Sequence, residues 1–256
     1  MREILNKNYR KIFIIILIIF LWEGIYHLNI YPQTLFPSLK EILHELIKGF
    51  RDLSIVTSIY YSLTLLLKGV LLTFILAFIS VVLSEISNFF NDFLELLISI
   101  AHPLPGIAII PLVILWIGIG EKAILFIIVH AMLWPVIINL KSGIQSIPKT
   151  YIDLSEVYNF SKIDKIKHIY IMGILPHIFS GLKIAWARGW RALISSEMVF
   201  GVVGSSSGLG WYIFKQRVFM NTPGLYGGLI IIIILGLLVE GIAFKRLESI
   251  YIGKWS

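Results

Sequence analysis

The stretch Pro148-Lys149-Thr150-Tyr151-Ile152-Asp153-Leu154-Ser155-Glu156-Val157-Tyr158-Asn159-Phe160-Ser161-Lys162-Ile163-Asp164-Lys165-Ile166-Lys167-His168 is a charged passage set between apolar segments. Thr150 followed three residues on by Asp153 reads as a helix-start box, and Ser161 with Asp164 repeats it. Asn159 between them tolerates the left-handed conformation that ends a helix. The passage therefore predicts a short helix that stops at Asn159 and a second helix that begins at Ser161. Tyr151, Leu154, Val157 and Tyr158 share one face of the first helix at helical spacing, while Asp153 and Glu156 lie off it. A helix this short is not stable alone, so its apolar face needs a partner.

Around this passage the chain is apolar. Hydrophobic residues make up 57% of the sequence and charged residues 14%, and the mean hydropathy is +0.87. These values are far from the soluble average and mark an integral membrane protein. The apolar runs are continuous, not alternating, and long enough to cross a hydrocarbon core of about 30 Å, so a β-barrel is excluded and an all-α fold follows. About six spans are expected, at residues 11–28, 58–83, 93–118, 123–140, 172–203 and 225–244, with residues 1–10 as an N-terminal segment and residues 11–256 as a single transmembrane domain. The first span has no small-residue cleavage site and is expected to be retained. Lys245 and Arg246 stop the last one.

Between the first two spans, Leu39, Ile42, Leu43, Leu46 and Ile47 recur at helical spacing. Ser38 and Glu41 supply a capping box, so a surface helix at the membrane interface is expected. The third span is interrupted by Pro103, Pro105, Gly106 and Pro111 and is a candidate pathway wall. The fifth carries Lys183, Arg188, Arg191 and Glu197. Residues 204–210 are rich in glycine and serine and read as a flexible turn. With the N-terminus inside, Lys and Arg are twice as frequent in the inner segments as in the outer ones, which supports cytoplasmic N- and C-termini and places residues 148–168 in the cytoplasm. The net charge of +7 is thereby explained by topology, and no nucleic-acid partner is expected. The absence of cysteine removes disulfide and thiol chemistry from consideration.

A cytoplasmic helix with an exposed apolar face between the fourth and fifth of six spans resembles the coupling helix of ATP-binding cassette importer permeases. The family motif, Glu-Ala-Ala, three residues, Gly, nine residues and Ile-x-Leu-Pro, falls on Asp153-Leu154-Ser155, Asn159 and Ile169-Tyr170-Ile171-Met172, with a further proline at Pro176. Asp153 keeps the acid at the helix start and Asn159 the left-handed turn. The nitrate, sulfonate, taurine and bicarbonate branch is resembled along residues 35–210. The matching stretches are Leu35-Phe36-Pro37-Ser38, residues 62–69 with Lys68 where Arg is usual, residues 105–120, Gly181-Leu182-Lys183, Ser196-Glu197-Met198 and Ser207-Gly208-Leu209-Gly210. The resemblance implies a type I importer permease fold in the cytoplasmic (inner) membrane. It also implies a homodimer, a cytosolic ATPase dimer that binds ATP and Mg and grips Tyr151, Asp153, Leu154, Ser155, Glu156, Val157, Tyr158 and Asn159, and an external solute-binding protein. The chain has no Walker loop, so it is expected to be non-catalytic and to hold no cofactor of its own. The implied substrate is a small anion or organic solute such as nitrate, sulfonate, taurine or bicarbonate; relatives also carry pyrimidine vitamin precursors.

Charge and polarity within the spans mark His130, Asn139, Arg188, Arg191 and Glu197 as candidate path residues, because such groups are costly in hydrocarbon. Two arginines suit an oxyanion by bidentate geometry. The plainer alternative is that Arg188, Arg191 and Glu197 pair with one another or snorkel to the interface. His102 and His130 have no second ligand at i+3 or i+4, so no metal site is expected. Trp186 and Trp190 read as packing or interface anchors. A secondary transporter would predict mirrored broken helices in two inverted halves, and no break in the sixth span mirrors the third. An intramembrane enzyme would need a nucleophile with a base, or a metal set, and neither motif occurs.

Overall fold

The computed structural model describes residues 2–203, 206–244 and 246. Gly204, Ser205, the stop at Lys245 and the expected cytoplasmic C-terminus at residues 247–256 lie outside the described residues. Eleven α-helices are found among the described residues: α1 Arg2–His27, α2 Leu39–Arg51, α3 Ser54–Ile86, α4 Asn88–Ala101, α5 Ile110–Ile117, α6 Glu121–Gln145, α7 Lys149–Val157, α8 Lys162–Lys165, α9 Ile171–Phe200, α10 Leu209–Val218 and α11 Thr222–Leu238. A 3-10 turn precedes α5, and π-helical turns follow α8 and α11.

Among the described residues, four helices are long and apolar enough to cross a membrane: Ser54–Ile86, Glu121–Gln145, Ile163–Phe200 and Thr222–Ile242. The expected third span is not one kinked helix. It is a pair, Asn88–Ala101 and Gly106–Ile117, bent by 93°. Pro103 and Pro105 lack backbone donors and push the preceding residues away from helical geometry, and together they end α4 outright. The apolar part of α1, Ile12–His27, is shorter than the others.

Helix α6 is the centre of the bundle and the most buried of the four spans. It packs between α3 and α9, and small residues let the backbones approach. Gly69 of α3 faces Ile128, while Gly181 and Gly189 of α9 face Asn139 and Met132. Ile124, Ile127, Ile128, Met132 and Ile137 are buried in the resulting core.

Helix α2 begins as its sequence predicts. Ser38 and Glu41 form a complete capping box, and Glu23 of α1 accepts the Leu39 N–H at 2.8 Å. Two carboxylates thus meet the positive end of the helix. Trp22 donates its indole N–H to the Pro37 carbonyl at 3.0 Å. These contacts fasten the end of α1 to α2.

Residues 206–208 lead into α10, so Leu209 and Gly210, read from sequence as part of a flexible turn, are helical. This turn is held by one buried acid. Glu197, 1% exposed, accepts the Ser62 hydroxyl, which lies 2.8 and 2.9 Å from its two oxygens, and the Gly210 N–H at 2.9 Å. The Ser62 oxygen in turn accepts the Leu209 N–H at 2.9 Å. Two orphan donors at the start of α10 are satisfied by α3 and α9. The arrangement requires glycine at position 208, where a Cβ would fall within the Glu197 carboxylate. Gly208→Ala is expected to break this cluster and lower the apparent melting temperature of the detergent-purified protein by roughly 5–10 °C, whereas Gly24→Ala, which meets open space, should leave it unchanged.

Candidate functional site

Two regions carry features that the packing of this chain leaves unused. The first is α7. The helix starts one residue before the expected box, because Pro148 occupies the N-cap in extended geometry (ψ 133°) and no side chain caps the end. Thr150 therefore lies inside the helix and forms no box with Asp153. The helix stops as expected. Asn159 is left-handed (φ 50°), the Phe160 N–H reaches the Ser155 carbonyl at 2.9 Å and the Asn159 N–H reaches Glu156 at 3.0 Å, which together make a Schellman turn. The second box forms: the Asp164 N–H meets Ser161 Oγ at 3.2 Å, and the Ser161 hydroxyl donates to Asp164 at 2.6 Å.

The packing of α7 is reversed from that of a globular surface helix. Its buried residue is Ser155, while Tyr151, Leu154, Val157 and Tyr158 are exposed, Val157 by 75%. Asp153, Glu156 and Asn159 are exposed as well. Glu156 pairs with Lys165 at 3.4 Å across the turn, which fixes α7 relative to α8. The helix thus presents a contiguous apolar face that nothing among the described residues covers, a surface of the kind that suits docking.

The second region is a cavity of about 500 Å³ between the α4–α5 break, α6 and α9. Pro103, Leu104, Pro105, Gly106 and Ile107 form one wall, His130, Ala131 and Trp134 a second, and Arg188, Arg191, Ala192 and Ser195 a third, with His102 at the rim of the first. Arg188 and Arg191 lie three residues apart on α9 and so project from one side of it. Arg191 Nε donates to its own helix at Ala187 O, 3.1 Å away. Neither arginine has an ion-pair partner among the described residues. No Asp or Glu lines the cavity.

Its wall on α6 adds unsatisfied polarity. Trp134 Nε1 and His130 Nδ1 are buried and find no partner in the protein; the two rings meet edge to face at 6.0 Å. Pro135 lacks an N–H, so the carbonyl of Ala131 one turn earlier loses its helical donor. Cationic, donor-rich and free of acids, the cavity can bind a negatively charged oxygen group.

The five residues marked from sequence as path candidates separate. His130, Arg188 and Arg191 share the cavity. Asn139 does not line it; its amide donates to the Pro135 carbonyl at 2.8 Å and its Cβ packs on Gly181. Glu197 is also outside it, held by Ser62 and Gly210, so the pairing of Arg188, Arg191 and Glu197 with one another does not occur. Trp186 and Trp190 stack on each other with ring planes 6° apart and stand apart from the lining. His102 and Trp134 belong to the cavity but were not singled out as path residues, and the proline cluster beside His102 was the signal that could have found them.

Residues 69–245 match the family described as binding-protein-dependent transport system inner membrane component. A permease protein of Escherichia coli named for aliphatic sulfonate transport is 30% identical over 67% of this chain and 63% of its own length. The taurine transport system permease protein of the same organism is 24% identical over 86% of this chain and 80% of its own. In structure, a chain of the inward-facing MetNI methionine ABC transporter superposes with a TM-score of 0.59 at 15% identity, covering 75% of this chain and 93% of that one, which establishes the type I importer permease fold. The chain belongs to the family of binding-protein-dependent transport system inner membrane components.

Proposed function

We propose that this permease subunit carries a small oxyanion, organic or inorganic, through the cavity between the α4–α5 break, α6 and α9, and that α7 couples that passage to a cytosolic ATPase. The family is a transport permease component without catalytic activity of its own, and the ATPase is a separate subunit. The observation that carries the substrate class is the pair Arg188 and Arg191 facing a cavity that no carboxylate lines. Uncompensated cations are expensive within a membrane-spanning helix, and a charge-complementary ligand offsets that cost. The relatives named for sulfonate and taurine transport agree with an anionic group.

In this reading two copies of the chain stand side by side with the N- and C-termini cytoplasmic. An external solute-binding protein delivers the anion. ATP-driven closure of the ATPase dimer draws the two α7 helices together and rocks the bundle between inward- and outward-facing arrangements. Tyr151, Leu154, Val157 and Tyr158 supply the gripped face; Asp153, Ser155, Glu156 and Asn159 shape the helix that presents it.

Two outcomes test these assignments separately. Leu154→Asp combined with Tyr158→Asp should abolish co-purification of the ATPase with a permease that still inserts; undiminished capture would refute the docking role of α7. Arg188→Gln and Arg191→Gln should each lower anion uptake into proteoliposomes of the assembled transporter by roughly 10- to 100-fold, the range for losing one charge-assisted hydrogen bond to a ligand. ATPase capture should be unchanged in both. Full transport by the double arginine variant would remove the cavity from the path.

A further inference from the structure

Helix α2 packs by one face and presents a different one outward. Ile42, Leu46 and Gly49 turn towards the bundle, with Ile42 2% exposed and Leu46 lying against Gly227 of α11. On the opposite side, Lys40, His44, Ile47 and Arg51 recur at i, i+4, i+7 and i+11, one ridge along the helix, and all four are exposed. Lys48 lies beside that ridge and Leu43 and Phe50 flank it, both apolar side chains about half exposed. Grooves of about 640 and 550 Å³ run along its two sides and share His44 and Ile47 as their common crest.

The position of α2 relative to the bilayer follows from its neighbours. Trp22 stacks on Phe36 at 4.1 Å and meets Tyr226 edge-on at 5.1 Å, and Tyr31 tilts against Phe36 at 6.1 Å. Such an aromatic group at the ends of α1 and α11 sits at headgroup level. The helix begins there.

The charges on α2 are of both signs but are used differently. Glu41 is committed to the Ser38 N–H at 2.8 Å. Glu45 accepts from Asn221 at 3.0 Å and pairs with Lys48 at 3.5 Å. Asp52 accepts the Ser54 N–H at 2.9 Å, and the hydrogen bonds from Ser54 hold its carboxyl below the usual range. Glu41 and Asp52 are thus turned to the caps and linkers of the fold, and Glu45, held by Asn221, leaves the Lys48 side chain 63% exposed. Lys40 and Arg51 have no ion-pair partner among the described residues.

We propose that this ridge of α2 binds an anionic glycerophospholipid, its phosphate held between Lys48 and Arg51 and its acyl chains lying over Leu43, Ile47 and Phe50. Basic side chains flanked by apolar ones at headgroup depth match both halves of such a lipid, and the apolar contacts distinguish it from a free anion.

The test uses the full-length, detergent-purified protein with an equimolar mixture of phosphatidylglycerol and phosphatidylcholine, reading retained lipid by native mass spectrometry. The wild type should retain phosphatidylglycerol in preference, and Lys48→Gln with Arg51→Gln should reduce that preference by roughly 10- to 30-fold. Lys48→Arg with Arg51→Lys, which keeps the charges, should preserve it, as should Lys122→Gln, a cation away from α2. Millimolar inorganic phosphate should not displace the lipid. Equal retention of the two lipids by the wild type, unchanged retention by the neutralised variant, or displacement by free phosphate would each overturn the proposal.

Discussion

Inside a membrane every polar group needs a partner from the protein, and the Glu197 carboxylate is where this chain meets that requirement most completely. It lies near the end of α9, and Ser62 of α3 and the first residues of α10 supply its donors. The start of α10 in turn depends on it, because the Leu209 and Gly210 N–H groups would otherwise be orphans in the interior. Three helices are located by one side chain. Glycine at position 208 leaves the space, and Gly210 lets α10 lie against the Ile194 backbone.

The same helix bears charges treated in the opposite way. Arg188 and Arg191 precede Glu197 by less than three turns, and the fold gives them no acid. A chain able to satisfy one buried carboxylate with donors from Ser62 and Gly210 could have paired the arginines with it. Their separation instead leaves a cationic cavity walled by the proline-broken corner of the third span. Lys141 shows the other treatment again, bonding Asn91 at 2.6 Å and Glu95 at 2.8 Å to tie α6 to α4. Lys141 thus joins two helices, whereas Arg188 and Arg191, left without an acid, face the cavity.

Much of this was legible in the sequence because it is local. Ser38 with Glu41, Ser161 with Asp164, and Asn159 each act within a few residues, and each formed as its spacing predicts. Thr150 did not, since Pro148 took the N-cap two residues earlier than the box required. Long-range relations were less visible. Residues 62 and 197 are 135 positions apart, so nothing in spacing could pair Ser62 with Glu197 or move that acid away from the arginines beside it. The right-angle corner was half legible: the prolines announced a break, but its size depends on how α4 and α5 pack against α3 and α6. Helix α10 was hidden behind Gly204 to Gly208, whose composition reads as loop although the residues after it form a helix.

The span from Ile163 to Phe200 is one helix of 38 residues, about 57 Å at 1.5 Å per residue, well beyond the ~30 Å of the hydrocarbon. It joins the turn that follows α7 at one end to Glu197 at the other, with the arginines between. Mechanically it is a lever: motion delivered at Lys165 would travel roughly 35 Å along the axis to Arg188 without crossing a further loop. The π-helical turn at Ile166–Tyr170 loosens the hydrogen-bond ladder at that end. In the proposed coupling, a stroke there would be divided between flexing that turn and moving the arginine pair, so the stiffness of five residues would set how much of the motion arrives.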